Sequence, residues 1–350
     1  MENVTKVKRE SKNRIRVEFD RTPLLERLKS KYLSTYFLGK VVWFLFRFIL
    51  LLGVSYVILF PFYSKIASSF MSPDDFLDVT VRLIPRYPTL DTYKAIIVEN
   101  GYLKALVNTF ILAGSCALIQ TFVCSLVGYG FAKFKFKFNK LLFLLVVFTM
   151  IVPHSTLQLS MFMEFRYFDI LGILNLLGGG VVDWINLLED TSLNLINTYW
   201  PLWILSATAL AFKNGLYIFM LRQFFSGIPD ELEESAAVDG CGVMRTFIQI
   251  VLPNAVPMMI TVFMFAFSWQ WTDNFYTGAS GVFYTTSGPH LMPDIVDIPI
   301  SLNITSAAAT QYQTAITNTC GILILLPLII IYCVAQKWII QGIECSGITG

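Results

Sequence analysis

Charged residues are scarce in this 350-residue sequence: Asp, Glu, Lys and Arg together make up 14%, where a soluble globular protein carries about 25%. Set against 55% hydrophobic residues, that shortage excludes a pair of ordinary soluble domains and puts the chain in the membrane class. Paired cysteines are missing too. The six cysteines, at 116, 124, 241, 320, 333 and 345, show no CxxC and no ligand spacing. They read as small hydrophobes in or beside apolar helices. Histidine occurs twice, as His154 and His290, and His154 reads as a satisfied polar residue at the outer part of a span rather than as a catalyst. Phosphate-loop glycines are absent: STYFLGKV holds a Gly-Lys pair, but Ser34 stands where the first glycine is required. HExxH and GxSxG are absent as well. The expectation is therefore no catalytic residue and no metal site. The net charge of +2 is not gathered on one face, which argues against nucleic acid.

What is present is a series of long apolar runs. About 20 apolar residues cross the hydrocarbon as a helix, and six stretches qualify: 41–63, 106–130, 141–163, 198–221, 253–270 and 315–335. Arg47 lies close enough to the inner end of the first to snorkel. Pro153 breaks the third, Lys213 falls in the fourth, and Pro257 and Pro327 fall in the fifth and sixth. The fold class expected is an all-α membrane protein: a basic segment 1–40, then a six-span domain 41–350. Because the first forty residues are polar, the first run is expected to act as an anchor rather than a cleaved signal. Basic residues set orientation. Residues 1–40 hold 11 Lys/Arg against 5 Asp/Glu, and the loop KFKFKFNK (133–140) holds four lysines and no acid. The loops after spans three and five hold Arg166 alone against eight acids. Both termini and the lysine loop are thus expected in the cytoplasm, with outer loops at 64–105, 164–197 and 271–314. The segment 172–197, with its GGG and LLEDTSLN, is long enough to suggest a task of its own.

The inner loop 222–253 is unusual. ELEESAAVDGCGVMRTFIQIVLP (231–253) carries Glu231, Glu233, Glu234 and Asp239 in its first nine residues. Carboxylates favour a helix N-terminus, Pro229 suits the first helical position, and Gly240 and Gly242 suit a C-terminal cap. A second helical piece, 244–251, leads to Pro253. An amphipathic helix on the inner leaflet would be basic, and so would a helix that reads DNA. An acidic, small-residue helix is suited to a basic protein socket.

The stretch IPDELEESAAVDGCGVMRTFIQIVLPNAVP (228–257) resembles the coupling loop of ATP-binding-cassette importer permeases, which reads E-A-A, three residues, Gly, then a run ending I-x-L-P. Glu234, Ala236, Gly240, Leu252 and Pro253 match, and Ser235 replaces the first alanine. VNTFILA (107–113), GYGFAKFKFK (128–137), MIVP (150–153), LGILN (171–175), FMLRQFFSGIP (219–229), WQWTDNF (269–275) and QKWIIQGIECSGITG (336–350) are similar to segments of the carbohydrate branch, maltose-permease G-type. The resemblance implies the type I importer permease fold, a second permease as heterodimer partner, two cytoplasmic ATPase subunits that hold ATP and Mg, and an outer solute-binding protein delivering a sugar. No cofactor is expected on this chain. It further implies that Glu233, Glu234, Ser235, Ala236, Asp239 and Gly240 dock on the ATPase, with Leu252 and Pro253 fixing the exit. Thr349 stands where relatives commonly carry lysine.

Lys213, Asn214 and Gly215 interrupt the fourth span near its middle, where a charge costs about 2.5–3.5 kcal/mol. Either the residues face a cavity in a broken helix, or the helix starts near Gly215 and the preceding run is re-entrant. Trp203 and Asn214 are sugar-site candidates. Trp269, Trp271, Asp273 and Asn274 read first as an interfacial belt and second as pathway residues. Rival functions are a permease for a non-sugar solute, an intramembrane enzyme using His154 and outer carboxylates, and a channel or sensor with a cytoplasmic partner.

Overall fold

The computed structural model describes residues 7–10, 16–19, 35–78, 80–169, 193–211, 213–278, 281–285, 287–302 and 309–347. The GGG at 178–180, most of LLEDTSLN, and Thr349 lie outside them. The chain divides into two compact units, Met1–Ser64 and Lys65–Gly350.

The first unit holds a two-stranded antiparallel hairpin, β1 (Val7–Glu10) and β2 (Arg16–Phe19), with Val7 opposite Phe19. Most of helix α1 (Thr35–Ser69) follows. The helix begins within the basic segment, ahead of the expected boundary at 40. Its side chains are apolar and exposed all round, from Trp43 and Phe44 through Leu59, as a lipid-facing helix requires.

Among its described residues the second unit is helical apart from an isolated β-bridge between Phe168 and Leu193. α2 (Pro73–Leu77) opens with a capping box in SPDD, the Ser72 hydroxyl accepting from the Asp75 N–H. α3 (Asp91–Glu99), α4 (Tyr102–Lys133), α5 (Asn139–Thr149) and α6 (Gln158–Arg166) follow. Then come α7 (Trp200–Ala207), α8 (Asn214–Ser226), α9 (Glu231–Val238), α10 (Val243–Thr246), α11 (Leu252–Trp271) and α12 (Ala309–Gly347). A π-turn at Phe247–Val251 joins α10 to α11, so the piece expected at 244–251 and the fifth span form one continuous helix.

Among the described residues four helices are long and apolar enough to cross a membrane: Gly39–Ser69, Tyr102–Lys133, Val243–Trp271 and Tyr312–Gly342. The other two expected spans are broken. α5 and the segment His154–Arg166 meet at 91°, because Pro153 stops the helix before it. The run 198–221 is split into α7, which ends at Ala207, and α8, which starts at Asn214, with Ala209 (φ 59°) and Lys213 (φ 68°) in the left-handed region. The helix resumes at Asn214, beside Gly215, after α7 has ended at Ala207.

α4 is the hub. It packs against α8 and α11, and α11 packs against α12. Small residues permit this approach, as they do wherever membrane helices meet closely. Ala105, Ala113, Cys116, Ala117, Cys124 and Ser125 are buried on α4. At Gly128 an added Cβ would come within 3.0 Å of Leu221 Cβ. Residues 290–297 are strapped to the start of α4: Met292 N–H donates to Thr109 Oγ1 (2.8 Å), Asn100 Nδ2 donates to the carbonyls of Ile295 and Asp297, and the His290 ring meets the Asn100 carbonyl at 2.8 Å. His290 is thus a tie, not a reactive group.

Candidate functional site

The acidic helix α9 stands on a lysine. Lys133, in the last turn of α4, is almost fully buried, with its side chain 6% exposed. Its ammonium donates to the Ile228 carbonyl (2.6 Å) and to Asp230 Oδ1 (2.6 Å), and lies 3.6 Å from Glu233 Oε1. Tyr129, one helical turn earlier on the same face, donates its hydroxyl to Glu233 Oε2 (3.4 Å). Beneath them the Tyr129 ring packs at a tilt against Phe247 (4.7 Å) and meets Phe225 edge-on (5.8 Å). The hydrogen bond and charge of Lys133 hold the Asp230 carboxyl below its ordinary range.

The start of α9 differs from the expected one. Asp230 is the N-cap, and Pro229 lies outside the helix rather than at its first position. The Asp230 carboxylate caps no N–H; it is turned to Lys133. The C-terminus is as expected at Gly240 (φ 81°). Gly240 N–H donates to the Ala237 carbonyl (3.0 Å) and Cys241 N–H to the Ala236 carbonyl (2.9 Å), the paired bonds of a Schellman cap. Gly242 does not share this task. It is extended (φ −75°) and begins α10.

These contacts sort the docking candidates. Glu233 faces inward, and Ala236 is buried against its own chain at 3% exposure. The small residue therefore does not present itself to a partner. Glu234, Ser235, Asp239 and Gly240 are exposed, as are the apolar side chains of Leu232, Val238, Val243 and Met244, Val238 at 88%. Sequence reasoning missed this apolar component. The signal was present: Ser235 and Glu234 precede Val238 by three and four residues, which sets it on the polar face. Leu252 and Pro253 open α11. The loop's two arginines are engaged, Arg222 over the Phe143 ring at 4.0 Å and Arg245 donating to Gln249 at 3.0 Å.

The second cluster surrounds the breaks. Cys124 Sγ lies 3.9 Å from the Asn214 carbonyl, and Cys124 precedes Lys133 by nine residues on α4. At 1.5 Å per residue the α7/α8 break therefore lies about 14 Å along α4 from Lys133. Lys213 caps α8, and its ammonium lies over the Trp269 ring at 5.1 Å. Two left-handed non-glycine residues four positions apart cost of order 1–3 kcal/mol each. Gly215 lets α8 abut α5: a Cβ there would meet Thr149 Oγ1 at 2.7 Å and the Val146 carbonyl at 3.0 Å. A cavity of about 290 Å³ opens between these breaks, lined by Met150, His154, Ala211, Lys213 and Leu216 among others. A narrow cleft beside it shares Ala211 and is lined by Gln120, Trp269, Gln270 and Asp273.

The remaining pathway candidates separate. Trp271 is fully buried and donates to the Ile324 carbonyl (3.0 Å), so it is a core anchor between α11 and α12 and leaves the pathway. Trp203 donates to Ser115 Oγ (2.8 Å) and ties α7 to α4. Asn274 is exposed beyond α11. The Asp273 carboxylate accepts from the N–H groups of Phe275 and Tyr276 and so organises the turn after α11 from the rim of the cleft. Asn214 is buried, and its side-chain amide has no hydrogen-bond partner among the described residues.

Two kinds of likeness bear on this geometry. The galactooligosaccharides transport system permease protein GanQ of Bacillus subtilis is 26% identical over 316 residues, 87% of this chain and 95% of that protein. The sn-glycerol-3-phosphate transport system permease protein UgpE of Yersinia pestis is 27% identical over 305 residues, 85% and 94% respectively. Among solved structures, a bacterial ABC transporter involved in importing the acidic polysaccharide alginate superposes with a TM-score of 0.61 at 17% identity, covering 86% of this chain and 98% of that one. The family model described as binding-protein-dependent transport system inner membrane component matches residues 124–344, which takes in Lys133, the acidic helix and both broken spans. A multi-pass helical chain with these elements in this order belongs to the family of binding-protein-dependent transport system inner membrane components.

Proposed function

We propose that the chain is one permease subunit of an ATP-driven, binding-protein-dependent sugar importer. It pairs with a second permease, and loop 222–253 docks on a cytoplasmic ATPase of which two copies hold ATP and Mg. An outer solute-binding protein delivers the solute. Both termini and the loop lie on the cytoplasmic side of a bacterial inner membrane, and residues 41–350 form the translocation domain. The observation that carries this reading is the braced knob: a short acidic helix fixed from below by Lys133 and closed by Gly240. Its exposed Glu234 and Asp239 offer charge to a basic socket, while Leu232, Val238 and Met244 offer apolar area. The relatives named for galactooligosaccharides and for sn-glycerol 3-phosphate, and the structure named for alginate, support a saccharide or sugar-like solute.

Reconstitution of both permeases with the ATPase and the binding protein in proteoliposomes tests the reading. Uptake should require ATP and the binding protein together. Accumulation without the ATPase would overturn it.

A further inference from the structure

We propose that the loop KFKFKFNK (133–140) is a binding site for anionic phospholipid, with Lys135, Lys137 and Lys140 on the headgroup phosphate and Phe138 among the first acyl carbons. The inference goes beyond the importer reading and rests on it only for placing this loop at the inner face of the membrane. Lys135, Lys137 and Lys140 are exposed, and none has an ion-pair partner among the described residues. Lys133 alone of the four is consumed inside the fold. The field of Lys135 reaches Asp230, but the Asp230 carboxylate is bonded to Lys133. Between the lysines stand Phe134, Phe136 and Phe138, exposed at 42%, 43% and 71%. Rings avoid water and ammonium groups avoid hydrocarbon, so a loop that alternates the two suits the boundary between headgroups and acyl chains. Aromatic residues sit there at headgroup level, and clustered lysines beside a span meet anionic lipid there. The ATPase fits less well: a socket basic enough for the acidic helix α9 would repel three lysines.

Two further observations support a loop built to present these groups. Phe138 has φ 67°, a left-handed backbone that a bulky side chain rarely adopts. Phe134 meets Tyr129 edge-on (5.6 Å) and Phe136 meets Phe131 (6.1 Å), but Phe138 makes no ring contact among the described residues. Asn139 pins the turn: its Nδ2 donates to the Phe134 carbonyl (2.9 Å) and its N–H to the Phe136 carbonyl (3.3 Å). The strained backbone is therefore held by hydrogen bonds, and its product is a ring that the protein leaves uncovered. The second observation is continuity. α5 begins at the next residue, and none of its residues is buried. Leu141, Leu145 and Phe148, spaced by four and three, form an exposed apolar stripe, and Phe138 stands at its head. An acyl chain along that stripe brings its headgroup to the lysines, which a free anion would not require. Lys133 opens the same loop, so a lipid bound here adjoins the brace under α9.

The test uses the complete transporter, ATPase included, in nanodiscs of equal phosphatidylglycerol and phosphatidylcholine. Phe138→p-benzoylphenylalanine supplies a photoreactive ring at an exposed position, and mass spectrometry after irradiation reads what that ring touches. Phospholipid adducts are expected, with phosphatidylglycerol favoured at least about tenfold, since each lysine near an anionic surface contributes roughly fivefold. Lys135→Gln, Lys137→Gln and Lys140→Gln together should bring the two lipids to equal yield while the adducts persist. Adducts to the ATPase or to the second permease overturn the proposal, as does the absence of any adduct. Equal yields with the lysines intact, or an undiminished preference without them, overturn the headgroup assignment and the proposal with it. ATP hydrolysis stimulated by the binding protein is measured in the same discs. Its presence leaves the importer reading standing whatever the adducts are, and its absence strikes at that reading and not at the lipid site.

Discussion

Two lysines of this chain, Lys133 and Lys213, each sit where a charge is costly, and the protein uses them in opposite ways. Lys133 is buried at the inner end of α4 with a carbonyl and two carboxylates around its ammonium. Its charge is consumed inside the fold and holds α9 in place. Lys213 sits at the break between α7 and α8, over the Trp269 ring, and lines a cavity. The residue type is the same; what differs is whether the surrounding elements close on the charge or leave a cavity beside it.

The strongest way to break this comparison is at the knob the brace supports. Gly240→Arg should abolish uptake while the protein still inserts at normal levels, read by transport and by membrane immunoblot. Nothing lies within 4 Å of a Cβ there, so the added bulk meets the partner and not the fold. Gly240→Ala should lose only the left-handed backbone preference, about 1 kcal/mol, and retain transport. Equal effects of the two would mean that strain, not docking, is at stake.

Next in size is the brace. Lys133→Met leaves Glu233 facing the buried Tyr129–Phe247 pair without its cation. A loss of about 1–3 kcal/mol is expected, seen as a lowered Tm of the purified protein. Lys213→Gln forfeits a cation–π contact with Trp269, about 0.5–2 kcal/mol, and should cost less. If Lys213→Gln proved the more destabilising, the assignment of roles would be reversed.

Glu234→Lys should weaken co-purification of the ATPase roughly tenfold, about 1.4 kcal/mol, with no change in Tm, since Glu234 is exposed. Glu233→Lys should lower the Tm, since Glu233 faces Lys133. The smallest effect is that of pH. Asp230 is held below its ordinary range by Lys133. The stabilisation it provides is complete above the unfolded carboxylate pKa and is lost as pH falls through the depressed folded value. Amide exchange in 228–240, corrected for intrinsic rates, should rise over that acid range, and Lys133→Met should remove the response.

The acidic helix, its glycine cap and the proline-broken third span were legible in the sequence because each depends on neighbours within a few residues. DELEE followed by small residues and Gly240 specifies a short helix with a left-handed stop, and Pro153 stops a helix wherever it falls. Ala236 misled for a related reason: its size was legible, but the face it occupies was not. The brace lay beyond reach, because Lys133 and Asp230 are 97 positions apart and the lysine's apparent role was to mark the cytoplasmic side. Trp271 read as a belt residue at a span end and proved to be an anchor, since its partner carbonyl belongs to α12.

The sequence by itself determined that the chain crosses a membrane several times and holds out an acidic, glycine-capped helix between two spans. Apolar length, the scarcity of charge and local cap chemistry are properties of adjacent residues. Only the tertiary structure decided which carboxylates remain outside, which lysine is closed upon and which one faces a cavity. Those outcomes depend on groups brought together from distant parts of the chain by close packing along α4.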